Sequence, residues 1–229
     1  MLNARPVPSK SYPTIIDKEA MTDLFSSFQS IFSGEAAIKK ITPLLGKLGE
    51  QIMDAKITIV DDPLCKESIS ISPFDDEGVA CYKKNVVEKG IFKTFLHNLK
   101  TAKYFHTEST GNGFKMGSTI GVSGSNLYIE KGNVSKEEMI ASLEEGLLIT
   151  DVEGLHAGVN PISGDFSLKA SGFLITNGKI NRAVTLIVIS GNFFKLMKEV
   201  QNIANDLEIG YTGIASPSLQ FKAIAVSGE

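Results

Sequence analysis

A polar, glycine-rich loop carries the side chains whose types and spacing are best suited to binding chemistry. It covers residues 158–165, GVNPISGD, and holds Asn160, Ser163, Gly164 and Asp165 directly before an apolar strand pattern. Turn-forming residues at this density leave backbone amides free to meet a ligand or another chain. These four residues are therefore predicted to border a cleft for a peptide or a partner protein. The alternative left open is that Asn160 and Asp165 only close the turn through their own backbone.

A second glycine-rich segment, residues 105–126, contributes His106 and Asn112 to the same predicted cleft. This segment is predicted to be a long loop with one strand at most, and loops of that length in compact domains are commonly functional or mobile. No Gly-Lys-Ser/Thr sequence follows its glycines, so the pattern does not indicate a phosphate-binding loop.

The other reactive side chains form no recognisable catalytic pattern. No two histidines have the spacing of one helix face, and a dyad of Cys65 or Cys81 with His106 has no signal for an oxyanion or orienting group. The acidic residues of 61–77 lack the alternating oxygen spacing of a calcium loop, so a solvated face is predicted for them. The histidines His97, His106 and His156 are interpreted as surface or structural residues. The acidic residues assigned to the solvated face are Asp61, Asp62, Asp75, Asp76 and Glu77.

Composition limits the classes of function. The chain has 229 residues, of which 42% are hydrophobic, so it can bury a sizeable core in one domain or in two small lobes. A formal charge of −3 provides no basic field for a phosphate backbone, and nucleic acid is excluded as a partner. No apolar run approaches the ~20 residues that span a bilayer. The first residues lack the apolar core of a signal peptide, and a cytoplasmic protein without membrane contact is predicted.

The elements that must position these side chains indicate an α+β fold. The sequence predicts a mainly antiparallel, strongly curved or barrel-like β-sheet with about three or four helices. Asn177-Gly178 predicts a two-residue hairpin turn, and Ser135 with Glu138 predicts a capping box on a helix running to about Glu145. Further helices are predicted over 18–32, 36–41 and along an apolar stripe from 193 to 207. Strands are predicted over 14–16, 57–60, 80–87, 91–96, 127–130, 147–152, 183–189 and 219–226.

Six segments, in this order along the chain, resemble the C-terminal half of the PmbA/TldD family, the "modulator of gyrase" peptidases. They are LNARPVPSKSYP at 2–13, LGEQIMDAKITIVDD at 48–62, SPFDDEGV at 72–79, GLLITDVEG at 146–154, GVNPISGDFSLKASGFLITNGKI at 158–180 and ISGNFFKLMKEVQNIANDLE at 189–208. The resemblance implies that residues 1–229 form the C-terminal domain of such a protein, with the N-terminal half of the family absent.

The resemblance also implies a zinc site that this sequence does not match. Active members carry His-Glu-x-x-x-His on a helix and a later cysteine, which together bind zinc and supply a base for its water. The corresponding helix segment is FSSFQS at 25–30, and no cysteine follows Cys81. The sequence is therefore most similar to the PmbA (TldE-type) subunit, with no catalytic or metal residue of its own and with zinc in a TldD-type partner.

Two functions follow as expectations. The first is a non-catalytic component of a TldD-type zinc metallopeptidase system that degrades or matures short unfolded peptides, assembled with a TldD-type subunit or as a dimer. The second is a self-contained hydrolase with an unrecognised site, either metal bound at His106 or His156 with nearby carboxylates, or a Cys–His pair.

Overall fold

The computed structural model describes residues 4–229 and divides them into two compact units. The barrel unit comprises the described residues up to Ser27 together with Lys131–Glu208 and Ser216–Glu229. The second unit, here called the groove unit, comprises Phe28–Glu130 and Ile209–Ala215.

The described residues contain thirteen strands, six α-helices and one short 3₁₀ helix, Gln29–Phe32. The helices are α1 (Lys18–Phe28), α2 (Gly34–Ile38), α3 (Leu99–Phe105), α4 (Lys136–Ala141), α5 (Leu155–Gly158) and α6 (Phe193–Lys198). The strands are β1 (Lys10–Ile16), β2 (Ile59–Asp61), β3 (Lys84–Glu88), β4 (Ile91–Phe92), β5 (Gly113–Met116), β6 (Thr119–Val122), β7 (Leu127–Ile129), β8 (Glu145–Glu153), β9 (Asp165–Thr176), β10 (Lys179–Asn192), β11 (Val200–Ile203), β12 (Ile214–Ala215) and β13 (Leu219–Ser227).

Five strands of the barrel unit close into a mixed barrel. β1 pairs in parallel with β8, and the antiparallel ladders β8–β9, β9–β10, β10–β13 and β13–β1 complete the circuit. β11 adds to the edge of β13 next to β10. Closure removes the free edges that an open sheet of these strands would expose. The predicted α+β fold with a strongly curved, barrel-like sheet is confirmed.

Alternating burial along the strands builds the core of the barrel unit. In β9, Phe166, Leu168 and Ala170 are buried and alternate with exposed residues, as expected for a strand with one face inside a barrel. The capping box is confirmed, because the Ser135 side chain accepts from the Glu138 amide while the Glu138 carboxylate accepts from the Ser135 amide. One hydrophobic core cluster, to which α4 contributes Met139, consists of Ile15, Met139, Leu143, Leu148, Ile175 and Ala204.

The groove unit holds a five-stranded sheet in the order β12-β7-β2-β3-β4 and a separate hairpin, β5–β6. Phe32, Phe92 and Phe95 pack together beside this sheet, with ring centroids of the last two 4.8 Å apart and edge-on. Asn98 begins α3 with a capping box, and His106 ends it in a left-handed conformation with φ of 53°. No helix in residues 4–229 is both long enough and apolar enough to cross a membrane.

Four predictions about elements are corrected. Residues 105–126 contain a two-stranded hairpin instead of at most one strand. The helix predicted from 193 to 207 ends at Lys198, because Val200–Ile203 pairs with β13 as a strand. The helix after Ser135 ends at Ala141, since β8 already begins at Glu145. The six helices exceed the three or four expected because α3 and α5, of seven and four residues, were not predicted.

Candidate functional site

A groove of about 310 Å³ opens on the surface of the groove unit. Its wall on one side comes from the 3₁₀ helix and α2, and its wall on the other from Met116 and the end of β6. The α2 side begins at Ser33, whose side chain accepts from the Glu35 amide and so caps the helix. The lining residues are Gln29, Ser30, Ser33, Glu35, Ala36, Lys39, Ile41, Leu96, Met116, Val122, Ser123, Gly124 and Leu127.

The groove combines an apolar floor with charge at its rim. Glu35 and Lys39 lie one helical turn apart, so a carboxylate and an ammonium group stand on the same side of the groove. Leu96 and Leu127 are buried in its floor, whereas Met116 is 60% exposed. Such a mixture suits a chain that offers both backbone polar groups and apolar side chains.

One backbone edge beside the groove has no strand partner among the residues that the structure describes. β6 belongs to a two-stranded sheet in which Val122 lies opposite Gly113. The Ser123 amide donates to the Asn112 carbonyl at 3.1 Å, and because ladder hydrogen bonds alternate, the backbone groups of Val122 point away from β5. Val122 also lines the groove, so an open strand edge borders the cavity.

Behind the groove wall lies a buried network of charged and polar side chains. Asp61 and Lys84 stand opposite each other in the β2–β3 ladder, and their side chains form an ion pair at 3.0 Å. The Asn112 amide nitrogen donates to the same Asp61 oxygen at 2.8 Å, while its carbonyl oxygen accepts from Lys84 at 3.2 Å and from Thr110 at 2.7 Å. Nearby, the hydroxyl of Ser125 is buried without a hydrogen-bond partner among the described residues.

The predicted loop at 158–165 lies in the barrel unit, between α5 and β9. The Asn160 side-chain oxygen accepts from the amides of Ile162 and Ser163, at 3.0 and 3.2 Å. Asp165 accepts from the side chain of Asn192 at 2.9 Å, and this bond, followed by the Ser163 hydroxyl, lowers the pKa of its carboxyl group. Gly164 adopts a left-handed φ of 85°, where a side chain would be strained. Asn160, Ser163 and Asp165 are exposed, so the loop stays a predicted contact surface whose side chains also support its turn.

The remaining two predicted cleft residues lie in the groove unit. His106 is exposed at the C-terminal end of α3. Asn112 is completely buried in the network behind the groove wall, so its side chain is part of the support for the wall and not part of the lining. Asn160, Ser163, Gly164 and Asp165 therefore share one loop, and His106 and Asn112 belong to the other unit.

Comparison with known proteins identifies the family. The model of the PmbA/TldA metallopeptidase C-terminal domain matches residues 9–228. The chain belongs to this family.

Its curated relatives include metalloproteases named PmbA. A metalloprotease PmbA homologue of Buchnera aphidicola from Acyrthosiphon pisum is 31% identical over 228 residues, which cover 100% of this chain and 49% of the relative. The metalloprotease PmbA of Escherichia coli O157:H7 is 30% identical over 207 residues, covering 90% of this chain and 44% of that protein. The chain thus spans about half the length of the curated relatives it matches.

Solved structures of the same fold support the assignment. TldE from Thermococcus kodakarensis superposes with a TM-score of 0.89 at 32% identity, covering 99% of this chain and 52% of TldE. A Thermotoga maritima protein described as a modulator of a DNA gyrase superposes with a TM-score of 0.92 at 41% identity, covering 98% of this chain and 51% of that one.

The segment predicted from the family resemblance to take the place of the zinc motif, residues 25–30, reaches the groove with its last two positions. Phe25 and Phe28 are completely buried, and the hydroxyl groups of Ser26 and Ser27 donate to the Asp23 carbonyl oxygen at 2.8 and 3.1 Å. The last two positions, Gln29 and Ser30, line the groove. The segment predicted from the family resemblance therefore contributes two residues to the lining of the groove.

Sequence reasoning missed the residues that give the groove its charge and its support. Glu35, Lys39 and Lys84 belong to no sequence motif. Only Lys84 could have been recognised from the sequence, because it occupies the same inward face of β3 as Val86. A lysine on the apolar face of a strand requires a partner charge. Asp61, at the end of the predicted strand 57–60, is that charge.

The histidines and cysteines are dispersed. His97 is buried against Phe95 and Phe105, and burial lowers the pKa of its imidazole. Burial also raises the pKa of the Cys65 and Cys81 thiols, and neither forms a disulfide. Across residues 4–229, no three His, Cys, Asp or Glu side chains are grouped as a metal site requires.

Proposed function

We propose that this chain is a PmbA/TldE-like component of a TldD-type zinc metallopeptidase system, and that it binds short unfolded peptides without cleaving them. The observation that carries the proposal is the groove itself, with an apolar floor and an open β6 edge, next to Gln29 and Ser30. An extended peptide can pair its backbone with such an edge and place side chains on the floor.

The residues predicted to stand at the family's zinc positions support a non-catalytic role. Zinc in a peptidase site takes imidazole, carboxylate or thiolate ligands. Here Phe25 and Phe28 fill the apolar core and Ser26 and Ser27 bond to their own helix, so these side chains do not fit a zinc ion. The proposal therefore assigns zinc to a TldD-type partner, and no step of the chemistry to this chain.

Loop 158–165, His106 and Asn112 complete the proposal as the predicted peptide or partner surface. The exposed side chains of Asn160, Asp165 and His106 support contact with another molecule. Asn112 contributes to this surface indirectly, because its buried side chain donates to the Ser123 carbonyl and so supports the groove wall. The residues 1–229 are proposed to act as the C-terminal domain of a PmbA/TldD-like protein, in the cytoplasm and as part of a dimer with itself or with the TldD-type subunit.

The competing proposal is a self-contained hydrolase with a Cys–His pair or a metal at His106 or His156. The raised pKa of both thiols disfavours a thiolate nucleophile at neutral pH. His106, at the C-terminal end of α3, and His156, in α5, are exposed and lie in different units.

Peptide binding and zinc content test the proposal together. A short unstructured peptide labelled with fluorescein should bind the purified chain and show no cleavage, and cleavage should appear only when a TldD-type partner is added. Lys39→Trp, which fills the groove from its rim, should raise the dissociation constant about tenfold, a loss of about 1.4 kcal/mol. Lys100→Trp, an exposed lysine of α3 that does not line the groove, is the matched control.

Two results would contradict the proposal. Zinc near one ion per chain, with peptide cleavage by the chain alone, would support the hydrolase. Equal weakening by Lys39→Trp and Lys100→Trp would show that the groove is not the binding site.

A further inference from the structure

We propose that Asp61, Lys84 and Asn112 are positioning residues, whose buried charge network holds the wall of the groove formed by Ser123–Ser125 in the shape that receives a ligand. The inference rests on the proposed peptide-binding function of the groove. It adds a role for three side chains that never contact the ligand.

The network is buried and charged. Asp61 has no exposed surface, and the side chain of Lys84 is 5% exposed. Burying their ion pair at 3.0 Å carries a desolvation cost that can exceed the mutual attraction of the two charges. Replacing such a pair with apolar residues is often neutral or stabilising, so stability alone does not account for its presence.

The orientation of the Asn112 carboxamide is fully determined by its neighbours. Its oxygen accepts from Lys84 and Thr110, and its nitrogen donates to Asp61 and to the Ser123 carbonyl oxygen. Both acceptor positions and both donor hydrogens of the amide are therefore used. A carboxamide whose acceptor positions and donor hydrogens are all used has one orientation. Asn112 therefore fixes the position of Ser123 relative to the ion pair.

The network holds the wall at both of its ends. Two hydrogen bonds join Asn112 to Ser123. The side-chain nitrogen of Asn112 donates to the Ser123 carbonyl at 2.9 Å, and the Ser123 amide donates to the backbone carbonyl of Asn112 at 3.1 Å. The Ser125 amide donates to the second oxygen of Asp61 at 2.7 Å. Gly124 lies between these two attachments and lines the groove, directly after the open edge of β6.

The deciding variant removes both charges at once. Asp61→Leu with Lys84→Met replaces the pair with apolar side chains of comparable size. This removes the cost of burying two charges but leaves the Ser125 amide and one Asn112 hydrogen without their acceptor, so the double variant should stay folded and unfold at a temperature close to or below that of the unaltered chain. The dissociation constant of the fluorescein-labelled peptide should nevertheless rise about tenfold, and amide exchange at Ser123 and Ser125 should become faster. The matched control is Asp17→Leu with Lys136→Met, an ion pair at 2.7 Å in the barrel unit, which should leave peptide affinity unchanged.

A milder pair of variants applies if the double variant does not fold. Thr110→Val removes the hydroxyl that orients the Asn112 carboxamide, and Thr110→Ser keeps it. Weaker peptide binding in Thr110→Val, restored in Thr110→Ser, supports positioning. Equal affinity of the two folded variants overturns it.

The outcomes separate this inference from the proposed function. A folded double variant that binds peptide as tightly as the unaltered chain, with unchanged exchange at Ser123 and Ser125, overturns the inference and leaves the proposed function standing. If the unaltered chain binds no peptide, alone or with a TldD-type partner, the proposed function fails. The exchange rates then decide whether the network holds the wall, and unchanged rates overturn that role as well.

Discussion

At the scale of single residues, the loop at 158–165 shows how one side chain can serve structure and remain available to a ligand. Asn160 accepts two backbone amides of its own turn and is exposed to solvent. These bonds are those of an asparagine that closes its own turn, the alternative that the sequence left open.

Asn160→Ala should lower the free energy of unfolding by about 1 kcal/mol, because two turn amides lose their acceptor. Asn205→Ala is the matched control, since Asn205 is exposed and its side chain makes no hydrogen bond within residues 4–229; its stability should be unchanged. Chemical denaturation measures both. Peptide affinity of the folded Asn160→Ala chain then decides the cleft assignment, and an affinity equal to that of Asn205→Ala would limit Asn160 to a turn support.

At the scale of elements, β10 contains an irregularity with an unusual residue. The pairing with β9 shifts between Val184 and Ile187, and Leu186 in this bulge has a φ of +56° while 68% of it is exposed. A leucine in the left-handed region is strained, because its Cβ crowds the following carbonyl oxygen. Its exposure means that little apolar burial compensates for that strain.

Leu186→Gly should therefore raise the free energy of unfolding by about 1 kcal/mol, since glycine adopts this conformation without the clash. Val188→Gly in the same strand is the comparison. Val188 lies in the regular ladder, so glycine there should lower the free energy of unfolding by about 1 kcal/mol. Thermal or urea unfolding of the two variants measures the contrast, and destabilisation by Leu186→Gly would mean that the leucine makes a stabilising contact.

Much of the element pattern was predictable from local signals, and the failures have specific physical causes. Asn177-Gly178 and the Ser135 capping box act within a few residues, so the β9–β10 hairpin and the start of α4 were predicted correctly. The stripe from 193 to 207 failed because Val200 and Ile203 satisfy a helical spacing equally well, and only their pairing with β13 makes them a strand. The β5–β6 hairpin was missed because it has almost no buried alternation to detect.

The candidate site was less predictable than the fold. The loop at 158–165 could be singled out by composition, whereas the groove is assembled from segments that are distant in sequence. The contact of Asp61 with Lys84 depends on the register of β2 against β3, which no local pattern specifies.

At the scale of the whole molecule, exposed apolar surface argues for assembly. Ile69, Ile71 and Phe74 of the groove unit are 63%, 57% and 62% exposed within one short segment. Neighbouring apolar side chains of this exposure are typical of surfaces that another chain covers. The open edge of β6 adds unpaired backbone groups to the same unit.

The chain should therefore be a dimer at micromolar concentration, with a mass about twice 24.7 kDa by light scattering. Ile69→Lys with Ile71→Lys should shift the mass toward that of one chain. Leu64→Lys, an exposed apolar position before this segment, provides the comparison. A mass of one chain that does not change with concentration would contradict the prediction.

The closure of the barrel by β1 and β13 has a consequence for how the protein folds. Lys10 pairs with Val226 and Ile16 with Leu219, so the last ladder joins segments separated by some two hundred residues of chain. Contacts of such long sequence separation slow folding, because the intervening chain must be ordered before they form. During synthesis, the edges of β1 and β10 that pair with β13 stay unpaired until β13 has left the ribosome. The barrel unit is thus expected to complete its native structure only once β13 is available for pairing, with those two edges as the surfaces most exposed to misassembly.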